Sequence, residues 1–304
     1  MSRFAPVYRA YGLILIMFGL TMLAPLGVAH VSGDGAQTRF DEAFLITVLC
    51  GAFLWARYRR CKQELQVRDG FLLVVLTWVG LPLFASLPLM LQLHLSFTHA
   101  YFEALSGLTS TGATVLSGLD QLPSSINLWR CLMNWIGGMG LIVLAAAILP
   151  LLGIGGRQMM QVEIPGPMKD SRITPRIAET AKGLWAVYFA ITAACILAYS
   201  WAGMTWLDAF CHAFSTVGLG GFSSHDASIG YFNSLPIELI TVFFLIVSGI
   251  NYTTHFVAFS GRSFGAYLRD PEARWYIAVL TFSVVMLTFY IWLTGTDPDL
   301  PTAF

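Results

Sequence analysis

Long apolar runs alternate with short polar connections along the whole chain. The runs cover 11–29, 43–56, 71–93, 128–152, 183–203, 235–259 and 275–293. A membrane-crossing helix needs about 20 apolar residues, so the pattern predicts seven spans, the second of them short. The first run follows Arg3 and Arg9, as a secretion signal would. The sequence after it, Ala29-His30-Val31, lacks a small-x-small cleavage site, and the run is read as a retained span.

The basic residues test this division. Fifteen of the 17 Lys and Arg residues fall on one side of it; only Arg39 and Arg130 fall on the other. Basic loops stay in the cytoplasm, so the pattern predicts a cytoplasmic N-terminus and an outer C-terminus. The outer side is acidic. Glu103, Asp120, Asp208 and Asp226 stand there with six further acids, and they are candidates for an outer vestibule that concentrates cations.

Composition agrees with this picture. The chain is 56% hydrophobic and 11% charged, against about 25% charged in soluble domains. Net charge is zero, which gives no general basic case for nucleic acid. The five Cys form no CxxC, the six His form no HExxH, and no metal-ligand spacing emerges.

One stretch breaks the alternation. EALSGLTSTGATVLSGLD (103–120) is too polar for an ordinary span. Shifting the chain by 109 residues lays THAYFEALSGLTSTGA (98–113) on LDAFCHAFSTVGLGGF (207–222). Ala100 then meets Ala209, Ala104 meets Ala213, Ser106 meets Ser215 and Gly112 meets Gly221. Each copy lies on the outer side between two spans, so the unit is span, polar segment, span. The first half of each copy, 98–108 and 207–217, reads as a short helix. Eleven residues rise about 16 Å, half of a bilayer core. TSTGA and GLGGF then supply non-helical backbone, which is allowed at membrane depth only inside protein or beside water. A half-depth helix followed by a Thr/Gly-rich return is the design of an ion selectivity filter, where carbonyl oxygens replace the ion's hydration shell. The helix points its partly negative C-terminal end at a cation. Gly112 and Gly221 fit positions whose backbone shape is closed to residues with a Cβ.

Other local readings lack context. GLGGF and GIGGR (153–157) echo phosphate-binding loops but follow no strand of a βαβ unit. A membrane-embedded enzyme would have only Asp208, His212, His225 and Asp226 near the second loop to draw on. The Asp208–His212 spacing reads as flank packing of a helix. A scaffold without transport is a further alternative.

The quoted loops, the span NWIGGMGLIVLAAAILPLLGIGG, the segment PGPMKDSRITPRIAETAK and FSTVGLGGFSSHDASIGYF together resemble the TrkH family. These are the membrane subunits of bacterial Trk potassium uptake systems, within the Trk/Ktr/HKT superfamily of K⁺ transporters. The resemblance covers nearly the whole chain. It implies an all-α integral membrane fold of span–pore loop–span units around one pore, preceded by two extra helices. On that pattern, 1–69 is the two-helix extension and 70–152 the first repeat, with pore helix 98–108 and filter 109–113. Residues 153–182 form a cytoplasmic loop. Residues 183–260 are the second repeat, with pore helix 207–217 and filter 218–222, and 261–304 begin a third. The family has four repeats, and Thr302-Ala303-Phe304 falls about where the third pore helix would start.

The resemblance also implies K⁺ coordination by the backbone carbonyls of Thr109, Ser110, Thr111 and Gly112, then Gly218, Leu219, Gly220 and Gly221. It implies a homodimer in the inner membrane and a cytoplasmic TrkA-type nucleotide-binding regulatory subunit, with nucleotide bound by that partner rather than by this chain. Arg157, Lys169, Arg172 and Arg176 are candidate docking residues for it. Positive-inside topology alone would also account for them.

Overall fold

The computed structural model describes residues 4–61, 67–140 and 174–294. Among these the chain is helical, with no strand. It divides into two compact units, Met1–Leu245 and Ile246–Phe304.

In the first unit, α1 (Ala5–Thr21) and α2 (Leu23–Ser32) make one apolar span. The break between them has a local cause. Pro25 has no N–H to return to Thr21 O, and Thr21 Oγ1 donates to Phe18 O at 2.6 Å while Met22 N donates to Gly19 O at 3.0 Å. Next come α3 (Gln37–Tyr58), α4 (Val67–Ala85) and α5 (Leu87–Leu93). Short α6 (Phe97–Leu108) precedes α7 (Ser124–Gly138), and long α8 (Thr174–Trp201) precedes short α9 (Trp206–Val217). Then α10 (Leu235–Gly249) begins.

Helix α7 is the centre of this unit. Every residue from Ser125 to Ile136 is buried, and α2, α6 and α9 pack around it. Asp34 accepts from Ser125 N at 2.9 Å and so satisfies one of the free donors at the N-terminus of α7. Trp129 packs against Phe18 and Phe40, and its indole donates to Ala85 O at 3.0 Å. These contacts tie the N-terminal helices to α7.

Among the described residues, four stretches are long and apolar enough to cross a bilayer, namely Ala5–Ser32, Arg68–Leu93, Lys182–Trp201 and Pro271–Leu293. A fifth is the pair α10 and α11 (Tyr252–Ser260), if that bent pair is one span. The sequence pattern predicted seven. Two expected spans differ for visible reasons. Helix α3 carries Arg39, Asp41 and Glu42 near its start. Helix α7 holds Arg130 and two Asn, and residues 141–152 of that expected span lie outside the described residues.

The expected span 235–259 is corrected. It is broken after Gly249 and bent by 88°. The bend lies inside the second unit, where Asn251 caps α11 by accepting from Thr253 N at 2.9 Å. The Val247 carbonyl accepts from Ile250 N at 3.2 Å and meets the His255 ring at 2.9 Å. Both ends of the break thus find partners, which irregular backbone in an apolar run requires. The second unit continues with α12 (Gly265–Arg269) and α13 (Pro271–Leu293), capped by Asp270, which accepts from Glu272 N at 3.0 Å.

Candidate functional site

The 109-residue shift reappears in backbone geometry. Ser96 and Thr205 are the N-caps of α6 and α9, with φ/ψ of −60°/152° and −61°/156°. Each side chain accepts from the N–H three residues on, the usual cap bond. Both helices then end in the same Schellman motif. Ser110 N donates to Gly107 O at 3.0 Å and Thr111 N to Ser106 O at 2.9 Å. Leu219 N donates to Thr216 O at 3.2 Å and Gly220 N to Ser215 O at 3.0 Å. The left-handed residue that closes this motif is usually Gly. Here it is Ser110 (φ 52°) and Leu219 (φ 53°).

Two residues later each loop turns positive again, at Gly112 (φ 75°) and Gly221 (φ 89°). The loops abut at this level. A Cβ on Gly112 would lie 1.9 Å from Gly220 O. Helix α7 braces the pair from behind, with Gly137 pressed on the end of α6: a Cβ there would meet Leu108 O at 2.2 Å.

The carbonyls of the eight candidate coordinating residues matter most. Among the described residues, no hydrogen bond is accepted by the carbonyl oxygens of Thr109, Ser110, Thr111, Gly112, Gly218, Leu219, Gly220 or Gly221. The side chains turn to other tasks. Thr109 and Thr111 share a hydroxyl–hydroxyl bond of 2.7 Å, and Ser110 Oγ donates to Asn134 O at 3.2 Å.

Behind the loops lies a buried polar network. Glu103, on α6, accepts from Thr114 Oγ1 at 2.8 Å and from Val115 N at 3.0 Å. The equivalent contact in the second loop uses other chemistry: His212 Nε2 meets Ser223 Oγ at 2.9 Å. Glu103 and His212, like Thr114 and Ser223, are 109 residues apart. Each repeat therefore ties its short helix to its own return segment. Arg130 joins the two systems, with Nε donating to Glu103 Oε1 at 2.8 Å and both side chains fully buried.

This revises the acidic vestibule. Glu103 is buried in an ion pair and faces no mouth. Asp208 is also mostly buried and accepts from Thr205 Oγ1 at 2.6 Å, from Ser224 Oγ at 2.8 Å and from the His225 ring at 3.0 Å. Asp120 and Asp226 are exposed, yet both are engaged. Asp226 accepts from Leu119 N at 3.2 Å, and Asp120 accepts from His225 Nδ1. The outer acids cross-link the two loops: an acid that lines water and an acid that holds a turn have the same place in a hydropathy pattern. His225, stacked on Tyr231 at 3.6 Å, presents one ring nitrogen to each of Asp120 and Asp208. The acid–base candidates Asp208, His212 and His225 thus serve as tethers.

The bond from His225 holds the Asp120 carboxyl below its ordinary value of 3.8. A depressed carboxylate stabilises the fold fully above its ordinary value, and that stabilisation is lost as pH falls through the lower folded value. The melting-temperature margin of the native protein over Asp120→Asn is therefore expected to be flat from about pH 5 upward. It closes only below pH 3.8. A thermal-shift series over pH checks this, and a margin already closing at about pH 5 contradicts it.

Arg130, Asn127 and Asn134 are absent from the sequence candidates. Their signal was present: a charge and two amides inside an apolar run, at helical spacing. Asn134, its amide oriented by its neighbours, donates to Gly107 O at 2.9 Å and accepts from Phe222 N at 3.1 Å. Of the docking candidates, Arg176 falls near the start of α8, whereas Arg157, Lys169 and Arg172 lie outside the described residues.

Comparison with known proteins completes the picture. Residues 36–297 match the family model TrkH, cation transport protein. The chain is 50% identical over 291 residues to the Trk system potassium uptake protein TrkH of Halomonas elongata, covering 95% of this chain and 60% of that one. It is 51% identical over 302 residues to TrkH of Vibrio parahaemolyticus, covering 97% and 62%. The crystal structure of the potassium transporter TrkH from Vibrio parahaemolyticus superposes with a TM-score of 0.86 at 45% identity, covering 99% of this chain and 62% of that one. The chain therefore spans about three-fifths of the length of these relatives. It belongs to the TrkH family of membrane cation transport proteins.

Proposed function

We propose that this chain supplies two strands of the selectivity filter of a potassium uptake channel, with K⁺ as the transported ion. What supports this reading most is the pair of repeated loops, each with four successive carbonyls that accept no hydrogen bond among the described residues. Such a row of free oxygens exchanges with an ion's hydration shell. The names of the relatives, potassium uptake proteins of Trk systems, favour K⁺ as the ion. Thr109, Ser110, Thr111 and Gly112 form one strand, and Gly218, Leu219, Gly220 and Gly221 the other. The C-terminal ends of α6 and α9 add their partial negative charge.

On this reading the protein sits in the bacterial inner membrane with its N-terminus in the cytoplasm. The distribution of Lys and Arg supports that orientation. Transport is passive, down the electrochemical gradient. A homodimer docks a cytoplasmic nucleotide-binding subunit of TrkA type through the basic segment around Arg157, Lys169, Arg172 and Arg176, and that subunit sets the gate.

The test is radiolabelled Rb⁺ uptake into proteoliposomes carrying the full-length protein. Uptake that external K⁺ competes away is the expected result. No uptake above empty vesicles overturns the proposal in favour of a non-transporting scaffold or a membrane enzyme.

A further inference from the structure

We infer that Arg130 is a positioning residue that fixes the distance between the two filter strands and thereby sets the discrimination between K⁺ and Na⁺. The inference rests on the filter reading above.

The argument starts from what one guanidinium touches. Arg130 Nε donates to Glu103 Oε1 at 2.8 Å, and Nη2 donates to Thr114 Oγ1 at 3.2 Å. Both partners belong to the first loop system. Nη1 donates to Ser223 O at 3.1 Å, and the Phe222 ring lies 4.5 Å from Cζ. Both of these belong to the second. Nη1 also reaches Asn127 Oδ1 at 3.4 Å on the same helix. Thr114 and Ser223 are equivalent under the 109-residue shift. Each stands two residues beyond its positive-φ glycine. A single planar fork therefore grips the same point of both strands. One turn further along α7, Asn134 repeats the grip by joining Gly107 to Phe222.

The chemistry is expensive for a purely structural link. Burying a carboxylate and a guanidinium carries a desolvation penalty that apolar packing avoids. What the fork adds is direction. Its donors are rigidly spaced, so the acceptors they hold keep a fixed separation. Ion discrimination depends on that separation, whether it acts through cavity size or through the field of the carbonyls. The strands are in contact at Gly112 and Gly220, so a shift at Thr114 or Ser223 is passed to the coordinating oxygens two residues away.

The deciding variant is Arg130→Lys in the full-length protein. Lysine keeps the charge for Glu103, but a point ammonium on a flexible stem cannot hold acceptors on two strands at set distances. Flux of Na⁺ and of Rb⁺ into proteoliposomes is measured for each protein. The expected result is a rise of about fivefold or more in the Na⁺ to Rb⁺ flux ratio, with total cation flux retained. A native ratio in Arg130→Lys overturns the inference, because a merely charge-compensating arginine predicts that outcome. If Arg130→Lys does not accumulate, Thr114→Val decides. It removes the hydroxyl that joins Glu103 to Nη2 and alters no charge, and a native ratio there overturns the inference equally. Unmutated protein that passes neither ion overturns the filter reading, and this inference with it; an unchanged ratio in a conducting variant overturns this inference alone.

Discussion

Replacing Gly112 with alanine is expected to cut K⁺ uptake by more than about tenfold while the protein still reaches the membrane. Two features act together. At φ 75° any residue with a Cβ is strained, by roughly 1–2 kcal/mol. The new methyl would also lie 1.9 Å from Gly220 O, a backbone atom that no rotamer change can move aside. The adjacent strand must shift, and its carbonyl is one of the proposed ligands. The damage thus falls on the coordinating oxygens and leaves the helices behind them packed. Uptake by K⁺-depleted cells of an uptake-deficient host, expressing the full-length protein at matched membrane levels, measures the effect. Near-normal uptake by Gly112→Ala would remove Gly112 from the filter. Uptake lost together with the protein itself would show that the position serves folding instead.

The loops were legible because their determinants are local. A short helix of one length and a positive-φ glycine sit at set offsets along the chain, whereas the Ser96 and Thr205 caps and the left-handed closures at Ser110 and Leu219 were not read from it. A repeat of 109 residues therefore shows the helix and the glycine without any tertiary knowledge. The outer acids were less legible. Asp208 and Glu103 obey the same hydropathy rule as water-facing carboxylates, and only the fold brings Ser224, His225 and Arg130 to them. Arg130 itself looked like an exception to a topology count. In the fold it is the centre of the network. The break after Gly249 was hidden for a related reason. The apolar residues on either side of Asn251 dominate a window average, whereas the cap that ends the helix is one side chain.

The second large effect concerns stability. Glu103→Gln is expected to destabilise the protein by about 3–5 kcal/mol, the usual cost of removing one member of a buried ion pair. The carboxamide keeps one acceptor oxygen, but its NH2 must face either Val115 N or Arg130 Nε, so the negative charge and one acceptor are lost together. Arg130, with no exposed surface, is then left as a cation without a counter-charge. Its remaining acceptors are Ser223 O, Thr114 Oγ1 and Asn127 Oδ1, all neutral. They orient the guanidinium but do not offset its desolvation. The double variant Glu103→Gln/Arg130→Gln separates this cause from simple loss of contacts. With both charges gone, neither ion is stranded, and part of the lost stability returns even though more hydrogen bonds have been removed. Thermal unfolding of the purified full-length protein in detergent reads this as a double variant that melts above Glu103→Gln alone. Strict additivity of the two single losses would mean that the charges are uncoupled. In that case the bond between Arg130 and Glu103 would be a consequence of packing, and the two loops would owe their registry to Asn134 and the glycine contacts instead.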